Sequence, residues 1–312
     1  MKKIFIIILT LSFFYILSAE SQIAIFVFDD RSGEIRPQSK IIEEEIKKSI
    51  SDVTIQQYSA KGNEHTAIEI VKAIDNEGFD LVIVITTDAT RFALLFMKNT
   101  PFLFTNCNNP EFMGIDMVTR KRNFSGVTYY VPLKDQLNLF KNIMTHSDNV
   151  GFIFDNNSLS RKYELRESRD FCDKNNLNFK VELITNSSEV ENAAKKLIKK
   201  GVDAIVLTTS GTVYNETKKV TKLAFAKRIP VFSYNKKGVK LGAVASLSSD
   251  YTRMNSELLP DMVKQIIVDK KPANSLPIRY LKDPYIYLNK KSIAQLNYTI
   301  DPEIMNKAIS FE

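Results

Sequence analysis

Residues 78–90 read GFDLVIVITTDAT, and a second stretch at 201–212, GVDAIVLTTSGT, repeats the pattern. In the first, Gly78 and Asp80 lead through an apolar run to Thr86, Thr87 and Thr90. In the second, Gly201 and Asp203 lead through another to Thr208, Thr209 and Thr212. Both runs are too continuous for a strand with one wet face, so each predicts a strand covered on both sides, as in a parallel sheet. Amphipathic segments precede them. Ala67, Ile70, Val71 and Ile74, then Val190, Ala193, Ala194 and Leu197, fall at i, i+3, i+4 and i+7 and predict helices. Each helix is expected to end at its glycine as the C′ residue. Ser188-x-x-Glu191 is expected to open the second helix as a capping box.

The echo extends outward. Phe26-Val-Phe-Asp-Asp30 matches Phe152-Ile-Phe-Asp-Asn156, and Pro101-Phe-Leu-Phe-Thr-Asn106 matches Pro230-Val-Phe-Ser-Tyr-Asn235. Three segments in one order at nearly constant offset predict two α/β lobes of the same topology, side by side. Between them, Asn123–Tyr130 is β-prone and reads as a first crossing. Gly242–Ser246 and Tyr285–Leu288 read as two more. The expected organisation is lobe 1 over 23–125 plus 247–284 and lobe 2 over 131–240 plus 289–312. The hinge crossings then fall near 126–130, 242–246 and 285–288.

The amino terminus carries Lys2 and Lys3, an apolar run from Ile4 to Leu17 and the small-residue site Leu17-Ser-Ala19. This predicts a cleaved export signal over residues 1–19 and a periplasmic or otherwise extracytoplasmic protein. The run is shorter than the ~18–20 apolar residues of a spanning helix, and no cysteine near the cleavage point could carry a lipid. Charges number 43 basic against 36 acidic and are interspersed. Lys195, Lys196, Lys199 and Lys200 lie on the polar face of their helix and read as solvated, so no nucleic-acid groove is expected. Cys107 and Cys172 are the only cysteines, and a bond between them is not expected. With His65 and His146 the only histidines, no metal and no cofactor are expected.

In open parallel sheets, ligands bind outside the carboxyl ends of the strands. Two such edges are expected to face each other across a cleft. Lobe 1 would contribute Asp29, Thr86, Thr87, Asp88, Thr105, Asn106 and Asn109. Lobe 2 would contribute Asp155, Asn156, Ser158, Thr209, Ser210, Tyr234 and Asn235, with Asp250 beside the second crossing. Hydroxyls, amides and a few carboxylates suit a small polar molecule. Each of these residue types is also an ordinary turn former or helix cap. No phosphate-binding glycine loop, dinucleotide fingerprint or nucleophile elbow is present, so no enzyme is expected.

The chain resembles the bacterial ABC-transporter substrate-binding proteins of the tryptophan/tyrosine-type branch. The resemblance runs from Ile23 almost to the C-terminus. It rests on Gly78-x-Asp80-Leu-Val-Ile-Val, Pro101-x-x-Phe104-Thr105 with Asn109-Pro110, and Asn123-x-Ser-Gly-Val127. It continues through Gly201-Val-Asp-Ala-Ile205, Ile229-Pro-Val-Phe232, Gly242-Ala-x-Ala-Ser246 with Asp250-Tyr251, and Lys271-Pro-Ala273 before Leu276-Pro277. It implies a type I periplasmic-binding-protein fold with a three-strand hinge. The lobes would close on a small ligand, as a monomer, and present it to a membrane permease with its ATPase. A ligand-binding sensor subunit with the same fold is the alternative. The family typically carries acids at the positions of Asn109, Ser210 and Asn235, all neutral here, and proline at that of Asp88. A buried carboxylate is the natural partner of an ammonium. The expectation is therefore a ligand less cationic than an amino acid, or one posed differently by Asp88 and Asp155.

Overall fold

The computed structural model describes residues 20–31, 35–116, 121–144 and 148–312. The expected export signal, Ser32, Gly33 and His146 lie outside the described residues. In chain order the first lobe begins β1 (Ser21–Val27), α1 (Ile35–Ser49), β2 (Val53–Ser59), α2 (Glu64–Ile74) and β3 (Leu81–Ile85). It continues with α3 (Thr87–Phe96), β4 (Phe102–Cys107), a 3₁₀ turn at Pro110–Met113 and β5 (Phe124–Thr128). The second lobe holds α4 (Leu133–Ile143), β6 (Asn149–Asp155), α5 (Arg161–Lys174), β7 (Asn178–Ile184), α6 (Val190–Lys199) and β8 (Ala204–Leu207). After these come α7 (Gly211–Tyr214), α8 (Thr217–Phe225), β9 (Val231–Ser233) and α9 (Lys236–Lys240).

The first sheet has the order β2-β1-β3-β4-β5 and the second β7-β6-β8-β9. All their pairings are parallel. The strand order reverses beside β1 in one lobe and beside β6 in the other, so the two lobes share one topology and one switch point. The repeated Gly-x-Asp has a structural cause. Asp80 accepts the backbone N–H of Gln22 at 2.8 Å, and Asp203 accepts that of Asn149 at 2.8 Å. Each aspartate thus satisfies an N–H at the start of the neighbouring central strand, which fixes the register of that strand. The run Leu81–Ile85 is wholly buried, as is Ala204–Leu207, because helices cover both faces.

Two local expectations are corrected. Gly201 is the C′ residue of α6, with φ 69°. Helix α2, by contrast, stops at Ile74, and Gly78, φ 83°, lies beyond the cap. Buried Asp75 turns its carboxylate to the N–H groups of Lys98, Asn99 and Thr100 at 2.8–3.0 Å, and so ends the helix early. The cap ahead of α6 is shifted too. Asn186 accepts the N–H of Ser188, and Glu189, not Glu191, reaches back to the N–H of Thr185 at 2.7 Å.

After α9 the chain leaves the second lobe through β10 (Ala245–Ser248). It then forms α10 (Tyr251–Arg253), a π turn at Met254–Leu258 and α11 (Leu259–Ile267). Met254, Leu259, Met262 and Val263 pack with Ile42 and Ile46 of α1 against one face of the first sheet. Ala67, Val71 and Ile74 of α2 and Ala89 and Ala93 of α3 cover the other face. The chain returns through β11 (Tyr285–Asn289), antiparallel to β10. It ends in α12 (Lys290–Leu296), α13 (Pro302–Lys307) and β12 (Ile309–Phe311). Leu288, Ile293, Leu296 and Ile300 belong to the core of the second lobe.

Where the chain passes from β5 toward α4, Gly126 lies against Phe104. A Cβ there would fall 2.3 Å from the Phe104 carbonyl oxygen and 2.6 Å from its ring. Gly126→Ala is expected to cost about 1–3 kcal/mol through overpacking, read as a lower urea midpoint with an unchanged slope.

Candidate functional site

The carboxyl ends of the two sheets face each other across a cleft that divides into two adjoining cavities of about 740 and 660 Å³. Asn108, Phe112, Tyr129 and Thr209 line both. The first cavity is walled by Leu94, Leu95, Phe112, Met113 and Leu159, with hydroxyls from Thr87, Ser158, Ser160 and Ser210. The second is more polar. It is lined by Gln136, Glu164, Tyr130, Tyr214, Tyr234, Asn235 and Tyr251, with Lys236, Lys237 and Lys240 along one wall.

Six of the sequence-predicted residues line these cavities: Thr87, Ser158, Thr209, Ser210, Tyr234 and Asn235. Thr87 accepts the N–H of Asn108 at 3.2 Å, tying the start of α3 to the loop after β4. Ser210 donates to Asp155 at 2.7 Å, and Thr209 donates to Glu164. Tyr234 is buried, with its hydroxyl 2.9 Å from Ser168. Asn235 caps α9 through the N–H of Lys237, at 2.8 Å.

The other nine line neither cavity, because their side chains are committed elsewhere. Asp29 grips the guanidinium of Arg31 at 2.7 and 2.8 Å, which draws its pKa down to about 2. Thr86 caps α3 with φ 93°, a strained value for a β-branched residue, and its carbonyl is anchored by the Thr90 hydroxyl at 2.7 Å. Asp88 faces solvent, 3.6 Å from Arg91. Thr105 and Asn106 join buried Asn255 in a polar network beneath the site. Asn109 caps the 3₁₀ turn and Asp250 caps α10. Asp155 is buried and satisfied by Ser210 and the N–H of Asn157, whereas Asn156 is exposed. The expected pose on Asp88 and Asp155 therefore has no carboxylate free on either cavity wall.

Sequence reading missed the aromatic wall and Glu164. Tyr129 and Tyr130 are expected from sequence only as part of a crossing, and Glu164 is not among the expected site residues. One signal was present. Glu164, Ser168, Phe171 and Cys172 follow i, i+4, i+7, i+8 and form the buried stripe of α5. An acid in an apolar stripe points inward. Burial pushes the Glu164 carboxyl upward, and burial does the same to Glu167, whose carboxylate takes the Tyr130 hydroxyl bond. Tyr129 and Tyr234 are likewise raised by burial and stay neutral. Cys107 and Cys172 are buried and unbonded, each pushed up to about 12.

The lobes also touch across the cleft. The ring of Phe112 packs on Tyr163 of α5 at 5.0 Å between centroids, and Glu111 lies 3.7 Å from Arg166.

Two lobes of one topology, with a partly apolar and partly polar cleft between their carboxyl edges, define a bilobal ligand-binding protein. A family profile described as ABC transporter substrate binding protein matches residues 33–311. The chain belongs to that family. It is 23% identical over 260 residues to the tyrosine-binding protein of Clostridioides difficile (strain R20291), covering 83% of this chain and 74% of that one. A ligand-free, open substrate-binding protein with adhesive properties from Clostridium difficile superposes with a TM-score of 0.81. It is 19% identical, over 94% of this chain and 99% of that one. An ABC domain in complex with L-Trp from Streptococcus pneumoniae superposes with a TM-score of 0.70, at the same identity and coverage. At such identities the superpositions describe the fold.

Phe112 lines both cavities and carries the ring contact across the cleft. An aromatic pair contributes about 0.5–1.5 kcal/mol beyond area burial. Phe112→Ala is expected to weaken ligand binding about tenfold and to raise the radius of gyration in small-angle scattering at subsaturating ligand.

Proposed function

We propose that this protein is the extracytoplasmic, non-catalytic ligand-capturing component of an ABC importer. It closes on a small amino acid with an apolar or aromatic side chain and delivers it to a membrane permease. The observation that carries this reading is the cleft, where Thr87 and Asn108 of one lobe face Ser158, Thr209 and Ser210 of the other. A ligand held by both walls binds the closed arrangement better than the open one. That difference in affinity drives closure. The apolar wall of Leu94, Leu95, Met113 and Leu159 suits a hydrophobic side chain, and the polar second cavity suits a charged head group. The named ligands of relatives, tyrosine and L-Trp, have this two-part chemistry.

The test is native mass spectrometry and thermal denaturation of the purified protein against a panel. The panel contains aromatic and aliphatic amino acids, purine nucleosides, monosaccharides and small carboxylates. A ligand at ~100 times its Kd adds about 2.7 kcal/mol to stability, which raises Tm by several degrees. The expected result is a rise with an aromatic or large aliphatic amino acid, with one ligand mass bound per chain. A rise confined to sugars or nucleosides would refute the ligand class.

A further inference from the structure

Among the described residues, Glu164 is the single carboxylate lining either cavity, and it is 3% exposed. Its partners are the hydroxyls of Thr209 and Ser160 and the backbone of Thr209, and among the described residues no cation figures with them. A buried carboxylate held by two hydroxyls and a backbone group lacks a countercharge, and such a charge is costly unless one arrives. A second, independent feature lines the same cavity. Gln136, on α4, is 3% exposed, and its Nε2 donates to the Val131 carbonyl at 3.2 Å. That bond leaves the Oε1 of Gln136 buried without a partner. A buried acid with no cation among its partners and an unpaired amide oxygen thus line one cavity. The same cavity also holds cations: Lys236, Lys237 and Lys240 line it, and Lys236 sits 5.8 and 6.0 Å over the rings of Tyr251 and Tyr287.

We propose that Glu164, together with the Oε1 of Gln136, is the ammonium receptor of the cleft, and that the ligand binds as a zwitterion with its amino group on α5 and its carboxylate toward α9. This rests on the reading of the cleft as an amino-acid site. It makes Glu164 the residue that selects amino acids over the corresponding des-amino acids.

Burial raises the Glu164 carboxyl in the empty cleft, and an arriving ammonium favours its carboxylate form. Whatever fraction of Glu164 is protonated before binding gives its proton to solvent as the carboxylate–ammonium pair forms. Affinity for the amino acid therefore rises with pH through the interval between the bound and the raised free-state pKa of Glu164, and is level above it. The charged and titratable groups around Glu164 are Glu167 on its own helix, Tyr129 and Tyr234 packed near it, and Tyr130, Tyr214, Lys236, Lys237 and Lys240 lining the same cavity. Tyr129 and Tyr234 stay neutral in this range. Glu167 is also raised, so the variant below is needed to assign the proton.

The experiment is titration calorimetry on wild-type protein and Glu164→Gln, in buffers of different ionisation enthalpy between pH 5 and 8. The probes are L-tyrosine and L-tryptophan, each paired with its des-amino analogue, 3-(4-hydroxyphenyl)propionate or indole-3-propionate. Wild type is expected to prefer the amino acid about 100-fold and to release a proton on binding it. Glu164→Gln is expected to lose about 100-fold for the amino acid, under threefold for the des-amino acid, and the proton release. Equal binding of the amino acid by both proteins would overturn the role of Glu164 and leave the amino-acid site standing. Failure of wild type to bind any of the probes would overturn both. The preference of wild type needs no variant, so a poorly folding Glu164→Gln still leaves equal affinity for the amino acid and its des-amino analogue as a refutation.

Discussion

A parallel sheet buried on both faces can offer a ligand only its ends. Leu81–Ile85 and Ala204–Leu207 have no exposed side chain, so whatever the two lobes recognise must be read by loops at their carboxyl edges. Those loops are held to the sheets by backbone-directed bonds. Thr87 binds the N–H of Asn108, and Thr208 donates to the Ile153 carbonyl at 2.9 Å. The chain passes between the lobes at β5, β10 and β11.

Among the described residues, a ring pair, Phe112 on Tyr163, and a half-exposed ion pair, Glu111 with Arg166, reach from lobe to lobe beside the cavities. An exposed ion pair of that kind contributes little. Lys236 over the ring of Tyr251 and the Tyr130 hydroxyl on Glu167 add polar contacts near the crossings.

The electrostatics of the cleft differ from the pattern that its sequence suggests. Asn109, Ser210 and Asn235 look like lost charges. In the structure Asn109 and Asn235 are helix caps, and Ser210 buffers Asp155. The carboxylate that faces the cavity instead rises from the first turn of α5, at Glu164. The packing of that helix sets its position.

Much was legible in the linear chain. The paired Gly-x-Asp units, the apolar runs and the i, i+3, i+4, i+7 stripes specify two matching α/β lobes, because periodicity and burial are local consequences of which residues are apolar. Six loop residues also proved to line the cleft. What the chain did not disclose is which way a polar side chain turns at a sheet edge. Asp29, Asp88 and Asp155 carry the same carboxylate, yet Arg31 holds the first, solvent the second and Ser210 the third. For Asp155 that choice depends on Ser210, 55 residues away in sequence. Tertiary structure alone brings Glu164, Gln136 and Tyr129 to one cavity, because they stand on three separate segments that only the folded chain brings together.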